Sequence, residues 1–416
     1  MPSSTETFLQ KQANEADQND SLRQLTTEFE LPVDKVYFCG NSLGPLPKRV
    51  RILFDRELNK WKDQAVEGHF LEPNPWVFVN EICINSMARL VGAKPIEVAV
   101  MNSLTVNIHL LLVSFYQPLK EKKKILIEKN AFPSDIYAVH SHVNSRGLNS
   151  TSVIIEKSLS EIEKEISKDG GKEICLVFLG GVNYQTGEVL DMKKITDLCH
   201  SFDILVGFDL AHAVGNVELQ LSAWDVDFAC WCTYKYLNSG PGGIAGIFVR
   251  EKHFSRPRLE GWWGNQKSTR FKMENVFVPE VGAAAWQLSN PPVFQTVSLR
   301  ASLDIFDKVN RLEDMFEKSR KLTDFLERCL TELLPNDSFT IMTPKKWRGC
   351  QLSLVFHHEN IHEIHAKITD LGFICDKREP NVLRVAPAPL FNSFTEVFQF
   401  TLALKSCLSE RIKSNL

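Results

Sequence analysis

Short apolar runs alternate with amphipathic stretches through the middle of the chain, and this alternation constrains the fold more than any other feature. Six runs have strand length: EVAVMNS, KILIEKN, ICLVFLGG, ILVGFDLAH, VDFACWCTYK and GIAGIFVR. Helical patterns such as SDIYAVHSHVNSRG, LSEIEKEISKDGG and MKKITDLCHSFD lie between them. The pattern predicts an α/β fold with a mostly parallel sheet flanked by helices. Ligands of such sheets bind at the carboxyl ends of the strands.

The length of the chain predicts more than one domain, because 416 residues exceed what one hydrophobic core usually supports. From about Pro291 the pattern changes to a single long predicted helix, VSLRASLDIFDKVNRLEDMFEKSRKLTDFLERCLTEL. Two strand-like runs, GCQLSLVFHH and VLRVAPAPL, follow it. We therefore predict a large α/β domain over residues 51–290 and a smaller α+β domain that combines residues 1–50 with residues 291–416.

Composition argues against several classes of partner. The net charge is −3 and the pI about 6.4, which gives no reason to expect nucleic acid or an anionic membrane surface. We find neither a signal or transit peptide nor an apolar run near the roughly 18 residues that span a bilayer. Scattered cysteines in apolar runs indicate buried thiols, and Cys230 and Cys232 have no second pair nearby that would favour zinc. We expect a cytoplasmic protein without a bound metal.

One lysine stands out in CTYKYLNSGPGG, residues 232–243, where Lys235 lies between two tyrosines and ahead of a glycine-rich turn. Upstream, VGFDLAHAVGN places Asp209 at the end of an apolar strand and His212 three residues later. A buried carboxylate needs a cation or a hydrogen-bond donor as partner. In one interpretation Asp209 caps the following segment and His212 packs in the core. In the other, these residues bind a cofactor.

Pyridoxal 5′-phosphate (PLP) fits the second interpretation. It needs a lysine for covalent attachment and a carboxylate that keeps its ring nitrogen protonated, and Lys235 and Asp209 would supply them. Ser103 to Thr105 lie where a strand gives way to a helix, so the free N–H groups there would favour the phosphate. The alternative for these residues is a simple helix N-cap.

An aromatic ring is also expected over such a cofactor. Phe132 in NAFPSD follows a predicted strand, Pro133 would fix the turn, and Asp135 is available as a hydrogen-bond partner. The alternative for Phe132 is an ordinary position in the core.

Six stretches together resemble the kynureninase family: GFDLAHAVGNVEL, DFACWCTYKYLNSGPGGIAGIFV, STRFKM, LTVNIHLL, FPSD and LSNPP. The resemblance runs from about Phe38 to the region of Phe391. It implies a PLP-dependent enzyme of the aspartate aminotransferase fold, fold type I, that acts as a homodimer on a small-molecule amino-acid substrate.

The resemblance also implies roles for individual residues. Lys235 would bind the cofactor covalently and Asp209 would pair with its ring nitrogen. The implied cofactor-binding set is Leu104, Thr105, Phe132, Pro133, Ser134, Asp135, Gly180, Asp209, His212, Tyr234, Lys235, Trp262 and Asn290. Trp262, with Trp263 as the adjacent alternative, and Asn290 would reach the cofactor of the partner subunit. Gly180 departs from the family, which often has a small hydroxyl residue there.

The implied reaction is hydrolysis of the Cβ–Cγ bond of L-kynurenine or 3-hydroxy-L-kynurenine. The products are L-alanine and anthranilate or 3-hydroxyanthranilate, in tryptophan catabolism and de novo NAD biosynthesis. Lys235 would act as general base, Asp209 would keep the cofactor protonated, and Tyr234 would act as the acid. A nearby cation is expected to lower the phenol pKa of Tyr234. The alternative is that Tyr234 only binds phosphate.

The substrate carboxylate requires a bidentate donor, for which Arg384 in NVLRVAPAPL is the expected residue. By resemblance, Ser42, His69, Ser289 and Asn290 also line the substrate pocket. This set is similar to that of the animal-type enzyme, which favours the 3-hydroxy substrate.

Three other interpretations of the sequence are possible. The run HHENIHEIH would place His358, His362 and His365 on one helical face, but a solvated helix start is favoured over a metal site. A cysteine desulfurase of the same fold would need a reactive cysteine on a polar loop. A non-catalytic scaffold would be expected to lack Lys235, Asp209 or Arg384, and all three are present.

Overall fold

Strands and helices alternate through the central part of the chain, as the apolar pattern predicts. The structure is a computed structural model that describes residues 2–335, 337–357 and 360–414. In chain order its strands are β1 (Phe29–Glu30), β2 (Val36–Tyr37), β3 (Leu46–Pro47), β4 (Val98–Val100), β5 (Lys124–Glu128), β6 (Ile154–Lys157), β7 (Ile174–Gly180), β8 (Leu205–Asp209), β9 (Phe228–Trp231), β10 (Gly246–Val249), β11 (Phe339–Ile341), β12 (Leu352–Phe356), β13 (Phe373–Ile374), β14 (Asp376–Arg378) and β15 (Val382–Val385). Its α-helices are α1 (Ser4–Gln18), α2 (Arg49–Gln64), α3 (Ile84–Val91), α4 (Leu104–Phe115), α5 (Pro133–Ser145), α6 (Ser150–Val153), α7 (Leu159–Ser167), α8 (Met192–Ser201), α9 (Lys267–Arg270), α10 (Val293–Asp307), α11 (Leu312–Leu333), α12 (Ile361–Asp370) and α13 (Phe394–Ser414).

The large sheet has the strand order β4–β10–β9–β8–β7–β5–β6. β10 is antiparallel to both of its neighbours, and the other pairings are parallel, so the predicted mostly parallel α/β sheet is confirmed. β7 and β8 are apolar and buried along almost their whole length because helices cover both faces of the sheet. The six predicted strands are all present. β6 was not predicted because it is a four-residue edge strand with half-exposed side chains.

The carboxyl ends of four parallel strands meet at one edge of this sheet. β5 ends at Glu128, β7 at Gly180, β8 at Asp209 and β9 at Trp231. The register pairs Gly180 with Asp209 and places Asp209 opposite Cys230. The polar residues that follow the apolar strands therefore lie side by side.

A second, antiparallel sheet has the order β11–β12–β15–β14. Helices α1, α11, α12 and α13 share an apolar core with it. The N-terminal segment joins this part of the chain, because β2 pairs with β13 and the Asp17 carboxylate accepts hydrogen bonds from the backbone N–H groups of Phe394 and Thr395 at 2.7 and 3.0 Å. The domain boundaries at residues 50 and 290 stay a prediction.

The predicted single long helix is wrong, because α10 and α11 are separate helices joined by residues 308–311. The guanidinium of Arg89, on α3, donates hydrogen bonds to the carbonyls of Phe306, Val309 and Asn310 at 3.3, 2.5 and 3.1 Å. These contacts satisfy the carbonyl groups at the end of α10, so the chain can turn there instead of continuing the helix.

Two kinds of feature are missing from the described part of the chain. No group of three or more His, Cys, Asp or Glu side chains in it could hold a metal ion. His358 lies outside the described residues, while His362 contacts Glu379 at 3.0 Å and His365 contacts the Cys375 carbonyl at 3.1 Å. Within the same residues, no helix is both long and apolar enough to cross a membrane.

Candidate active site

One cavity of about 180 Å³ lies at the carboxyl edge of the large sheet. Its wall is formed by the ends of β5, β7 and β8, the loop after β9, and the N-termini of α4 and α5. Most of the predicted cofactor-binding residues line it: Leu104, Thr105, Phe132, Ser134, Asp135, Gly180, Asp209, His212, Tyr234 and Lys235. The location agrees with the general placement of ligand sites in parallel sheets.

Lys235 lies in the loop after β9, between two aromatic rings. Its Nζ is 5.6 Å from the ring centre of Phe132 and 5.9 Å from that of Tyr234. The N-terminal segment passes close behind it, since the backbone N–H of Gly44 donates to the Tyr234 carbonyl at 2.8 Å. A Cβ atom on Gly44 would lie 2.4 Å from the Lys235 carbonyl oxygen, so this approach requires glycine. The backbone of the lysine loop thus packs against the N-terminal segment, while Lys235 lines the cavity.

Asp209 and Asp135 form a buried pair of carboxyl groups, with side chains 7% and 8% exposed. The Asp209 Oδ1 accepts a hydrogen bond from the backbone N–H of Ala211 at 2.7 Å. Burial raises the pKa of both carboxyls, and the neighbouring Asp209 raises that of Asp135 further. The Ala211 hydrogen bond and the Lys235 charge act in the opposite direction on Asp209. Asp209 is therefore the member that favours the charged form, with Asp135 as its protonated neighbour.

Two helix N-termini point into the same end of the cavity. Ser103 is the N-cap of α4 and Phe132 that of α5, and neither makes a side-chain capping hydrogen bond. The hydroxyls of Thr105 and Ser134 are 2.6 Å apart, and Pro133 occupies the first turn of α5. Uncapped backbone N–H groups and two helix dipoles make this end of the cavity a favourable place for a phosphate.

Tyr234 differs from the expectation drawn from the sequence. Its pKa lies above the ordinary value, chiefly because of burial and secondly because of Cys232, so the predicted lowering by a nearby cation is wrong. The phenol therefore keeps its proton at neutral pH. His212 is buried as well, and burial followed by the charges of Lys235 and Arg384 lowers its pKa well below the ordinary value. Its imidazole is neutral at neutral pH.

Arg384, on β15, lies behind the cavity and does not line it. The guanidinium, only 1% exposed, donates to the Tyr184 carbonyl at 2.6 Å and to the Ser42 hydroxyl at 3.1 Å. Asp376 forms a close ion pair with Arg384 and also accepts a hydrogen bond from Ser42. Ser42 and Arg384 are thus in contact. The guanidinium, which was expected to bind the substrate carboxylate, already pairs with the carboxylate of Asp376.

Four more predicted residues, each half-buried or exposed, lie outside the cavity, as do Ser42 and Pro133. Trp262 is 45% exposed and donates through Nε1 to the Arg270 carbonyl at 3.0 Å. Ser289 and Asn290 are exposed. His69 is half-buried, with its ring edge-on to Trp76 at 5.3 Å. Within one chain, these side chains are not brought to Lys235.

Several cavity residues were missed by the sequence analysis: Glu128, Val182, Asn183, Tyr184 and Ala211. Glu128 carried a usable signal, because like Asp209 it is a carboxylate at the end of a buried strand. Asn183 and Tyr184 lie three and four residues after Gly180, in a stretch without a charged side chain that would have indicated a ligand site. Asp376 gave no signal, because its role depends on a long-range pairing of β14 with β15.

The chemistry of this donor set fits PLP. A lysine amine, a buried carboxyl, an aromatic ring and an uncapped pair of helix N-termini are the groups that its aldehyde, pyridine nitrogen, ring face and phosphate require. Within the described residues, the buried His212 Nδ1 has no hydrogen-bond partner, and it lines the same cavity. The residues present therefore suit this cofactor.

Solved structures of similar fold are PLP enzymes. One is a C-DES variant with glycine covalently linked to its PLP cofactor, with a TM-score of 0.76, 15% identity, and coverage of 90% of this chain and 97% of that one. Another is a cysteine desulfurase from Escherichia coli, with a TM-score of 0.75, 16% identity and coverage of 93% and 98%. At such identities the likeness establishes the fold alone, which is fold type I as predicted.

The thiols do not favour desulfurase chemistry. Cys39 is half-buried and the other nine cysteines are buried. Burial raises the pKa of Cys39 and of Cys232, the latter close to the lysine, to about 11. Reactive cysteines instead have a lowered pKa.

Sequence comparison identifies a different family from the structural neighbours. Residues 315–404 match the model of the kynureninase C-terminal domain. The kynureninase of Flavobacterium psychrophilum is 44% identical over 96% of this chain and 98% of its own length. The kynureninase of Nematostella vectensis is also 44% identical, over 95% and 93%. With such identity over nearly its whole length, the chain belongs to the kynureninase family.

Proposed function

We propose that the chain hydrolyses the Cβ–Cγ bond of L-kynurenine and 3-hydroxy-L-kynurenine, with the 3-hydroxy form preferred. The products would be L-alanine and anthranilate or 3-hydroxyanthranilate. Family membership makes the chain a PLP-dependent hydrolase of carbon–carbon bonds. The observation that carries the proposal is the convergence of Lys235, Asp209 and two helix N-termini on one cavity.

The cofactor's place in the cavity follows from the polarity of its two ends. Bound PLP supplies an electron sink for the bonds around the substrate's α-carbon. Asp209 would hold the proton on the ring nitrogen, and Thr105 and Ser134 would bind the phosphate. Phe132, which lines the cavity with a partly exposed side chain, would cover the ring.

Lys235 and Tyr234 divide the proton transfers between them. The lysine amine removes the proton from the substrate's α-carbon, and its place between two rings limits its motion to the cavity. Tyr234, whose raised pKa keeps the phenol neutral, donates a hydrogen bond or a proton near the γ-carbonyl. The direction of its pKa shift supports a neutral hydrogen-bond donor and not a base.

Arg384 binds the substrate carboxylate. Its guanidinium is linked to the cavity wall through the carbonyl of Tyr184, which lines the cavity. Since Asp376 forms an ion pair with the guanidinium, the substrate carboxylate must share this ion pair or replace Asp376 in it. Ser42 contacts both residues, so its hydroxyl could keep a hydrogen bond to Arg384 when Asp376 is replaced.

A homodimer with shared active sites accounts for the residues outside the cavity. Trp262, Phe271 and Phe70 form an exposed aromatic cluster, with ring centres 5.4 Å apart in each successive pair. Exposed apolar clusters of this kind favour burial against a partner. In a symmetric dimer, Trp262 and Asn290 would reach the cofactor of the partner and His69 would face the substrate's aromatic ring. Cytoplasmic location and a place in tryptophan catabolism and NAD biosynthesis complete the proposal.

Turnover of the PLP-loaded protein on L-kynurenine and 3-hydroxy-L-kynurenine in parallel tests the proposal. Release of alanine and the matching aminobenzoate, lost in Lys235→Ala, is the expected result. A higher kcat/KM for the 3-hydroxy substrate would support the preference. Bound PLP without product from either substrate would overturn the proposed function.

A further inference from the structure

A second cavity, of about 540 Å³, lies behind the one that holds Lys235. It opens between the N-terminus of α7, the start of α8 and the loop around Trp347. Glu128 and Asn183 line both cavities, and they are the two described residues that the linings have in common. The wall between the PLP cavity and this outer cavity therefore contains an ionisable carboxyl group.

Glu128 is only 5% exposed and is held in place at the end of β5. Its Oε1 accepts a hydrogen bond from the Asn183 side-chain amide at 2.6 Å. Asn183 is itself fixed, because its Oδ1 accepts from the backbone N–H groups of Gln185 and Thr186 at 2.9 and 2.8 Å. The carboxyl thus has a defined orientation, and burial raises its pKa to about 7, with Glu188 adding to the increase.

The other oxygen of Glu128 faces Gly180, where the family resemblance implies a small hydroxyl residue. A Cβ atom on Gly180 would lie 4.0 Å from Oε2 and 3.6 Å from the Val182 carbonyl oxygen, so a small side chain would fit there. Glycine leaves that side of the carboxyl open toward the PLP cavity.

Glu128 also acts on the buried pair described above. Its charge is among the causes that raise the pKa of Asp135, the protonated neighbour of Asp209. We propose that Glu128 is a positioning residue that exchanges a proton with solvent in the outer cavity and thereby sets the charge state of the Asp135–Asp209 pair. The proton adds to and leaves the carboxylate, and no other species is consumed. The inference rests on the proposed function only through the PLP site.

The charged groups around Glu128 come from several elements. Asp135 faces it from α5, Glu188 from the loop after β7, and Lys157 is its register partner on β6. The outer cavity adds the charged residues Lys129, Glu163, Asp191 and Lys194. Of these, Glu163 and Lys194 pair with each other at 2.6 Å. Glu188 is the group whose charge contributes to the raised pKa of Glu128, which makes its removal a graded test.

The test is a pH titration, from about pH 6 to about pH 9, of the PLP-bound protein and its Glu128→Gln variant. The visible absorption of the bound cofactor and the infrared band of protonated carboxyl groups are recorded together. Wild type is expected to show one step near neutral pH in both signals. Glutamine mimics the protonated acid and keeps the acceptor for Asn183, so the variant should lack the step and resemble acidic wild type throughout.

Two further variants separate the role of Glu128 from general effects. Glu188→Gln removes the charge that raises the pKa of Glu128 and should move the step to lower pH. Glu163→Gln alters a carboxylate on the rim of the outer cavity and should leave the step in place. A wild type without a carboxyl step near neutral pH, or a Glu128→Gln variant that keeps it, overturns the inference. Neither signal requires turnover, so this failure is distinct from failure of the kynureninase assay.

Discussion

The cavity around Lys235 is enclosed by residues of one chain, whereas the surface around Trp262 is exposed in that chain. The cavity joins residues from four strand ends and two helices, and its Asp209 carboxyl is 7% exposed. Trp262 remains 45% exposed, and Asn290 lies at the surface. Lys235 and Asp209 are therefore brought together within one chain, whereas Trp262 and Asn290, which we propose to reach the partner's cofactor, would need a second chain.

Substitution of Lys235 should cause the largest loss of activity among the residues of the PLP cavity. We expect Lys235→Ala to lower kcat by about 10³-fold or more, since it removes both the covalent attachment and the base. Stopped assays of alanine release and the visible band of the lysine-linked cofactor measure the effect. Lys129→Ala, at the outer cavity, is the matched control and should retain both signals. Substantial turnover by Lys235→Ala would contradict the role given to this residue.

Mixed dimers test whether the two regions act across a subunit interface. Lys235→Ala and Trp262→Ala should each be impaired alone, with the Trp262 variant losing about tenfold in activity. After subunit exchange, each mixed dimer would contain one intact site, so about a quarter of wild-type activity should return. Lys235→Ala mixed with Asp209→Asn is the control, because both changes affect the same chain's cavity. Recovery in the control, or none in the test mixture, would refute shared sites.

The ion pair behind the cavity should yield a smaller, mainly structural effect. Asp376→Asn leaves the buried Arg384 guanidinium without its neutralising charge, so we expect a loss of about 2 kcal/mol in the free energy of unfolding. The substrate carboxylate would then meet a less occupied cation, and KM should fall. Urea denaturation and steady-state kinetics check the two effects, with the exposed Glu379→Gln as control. Unchanged stability together with a raised KM would argue against the exchange.

Gly180→Ser should have the smallest effect. The nearest atoms to its Cβ would be 3.6 and 4.0 Å away, so the affinity for PLP should change by within about 0.5 kcal/mol. Equilibrium dialysis of the cofactor provides the measurement. Gly181→Ser makes the same substitution at the next residue and is the comparison with a steric clash. Its Cβ would lie 2.6 Å from Leu210, so this variant should destabilise the fold. A large loss of PLP affinity in Gly180→Ser would show that the backbone at this position needs glycine.

The large sheet and the PLP cavity could be predicted from the sequence because the patterns that indicate them are local. Each strand is a continuous apolar run, and Asp209 ends one of them while Lys235 lies four residues after another. Parallel pairing then brings the residues after neighbouring strands together without further information. The fold class and most of the cavity lining followed from these facts together with the family resemblance.

What could not be predicted depends on partners distant in the sequence. The end of α10 is set by Arg89, more than 200 residues earlier. The occupant of Arg384 is known only once β14 and β15 are paired. The pKa of Tyr234 is raised and not lowered, and the largest cause is burial, which the sequence does not report. Local sequence patterns identify such residues, but they do not give the burial or the distant contacts that determine their pKa values and partners.

The contact between Asp17 and the start of α13 has a consequence for how the protein is made. The two ends of that contact, Asp17 and Phe394, are 377 residues apart. At the usual rate of synthesis, α1 leaves the ribosome roughly 20 to 75 s before its partner helix exists. During this time Leu9 and Ala13, which are fully buried in the finished protein, have no core to enter. The first helix of the chain is thus among the last to reach its place, and it is the segment that a chaperone would encounter on the nascent chain.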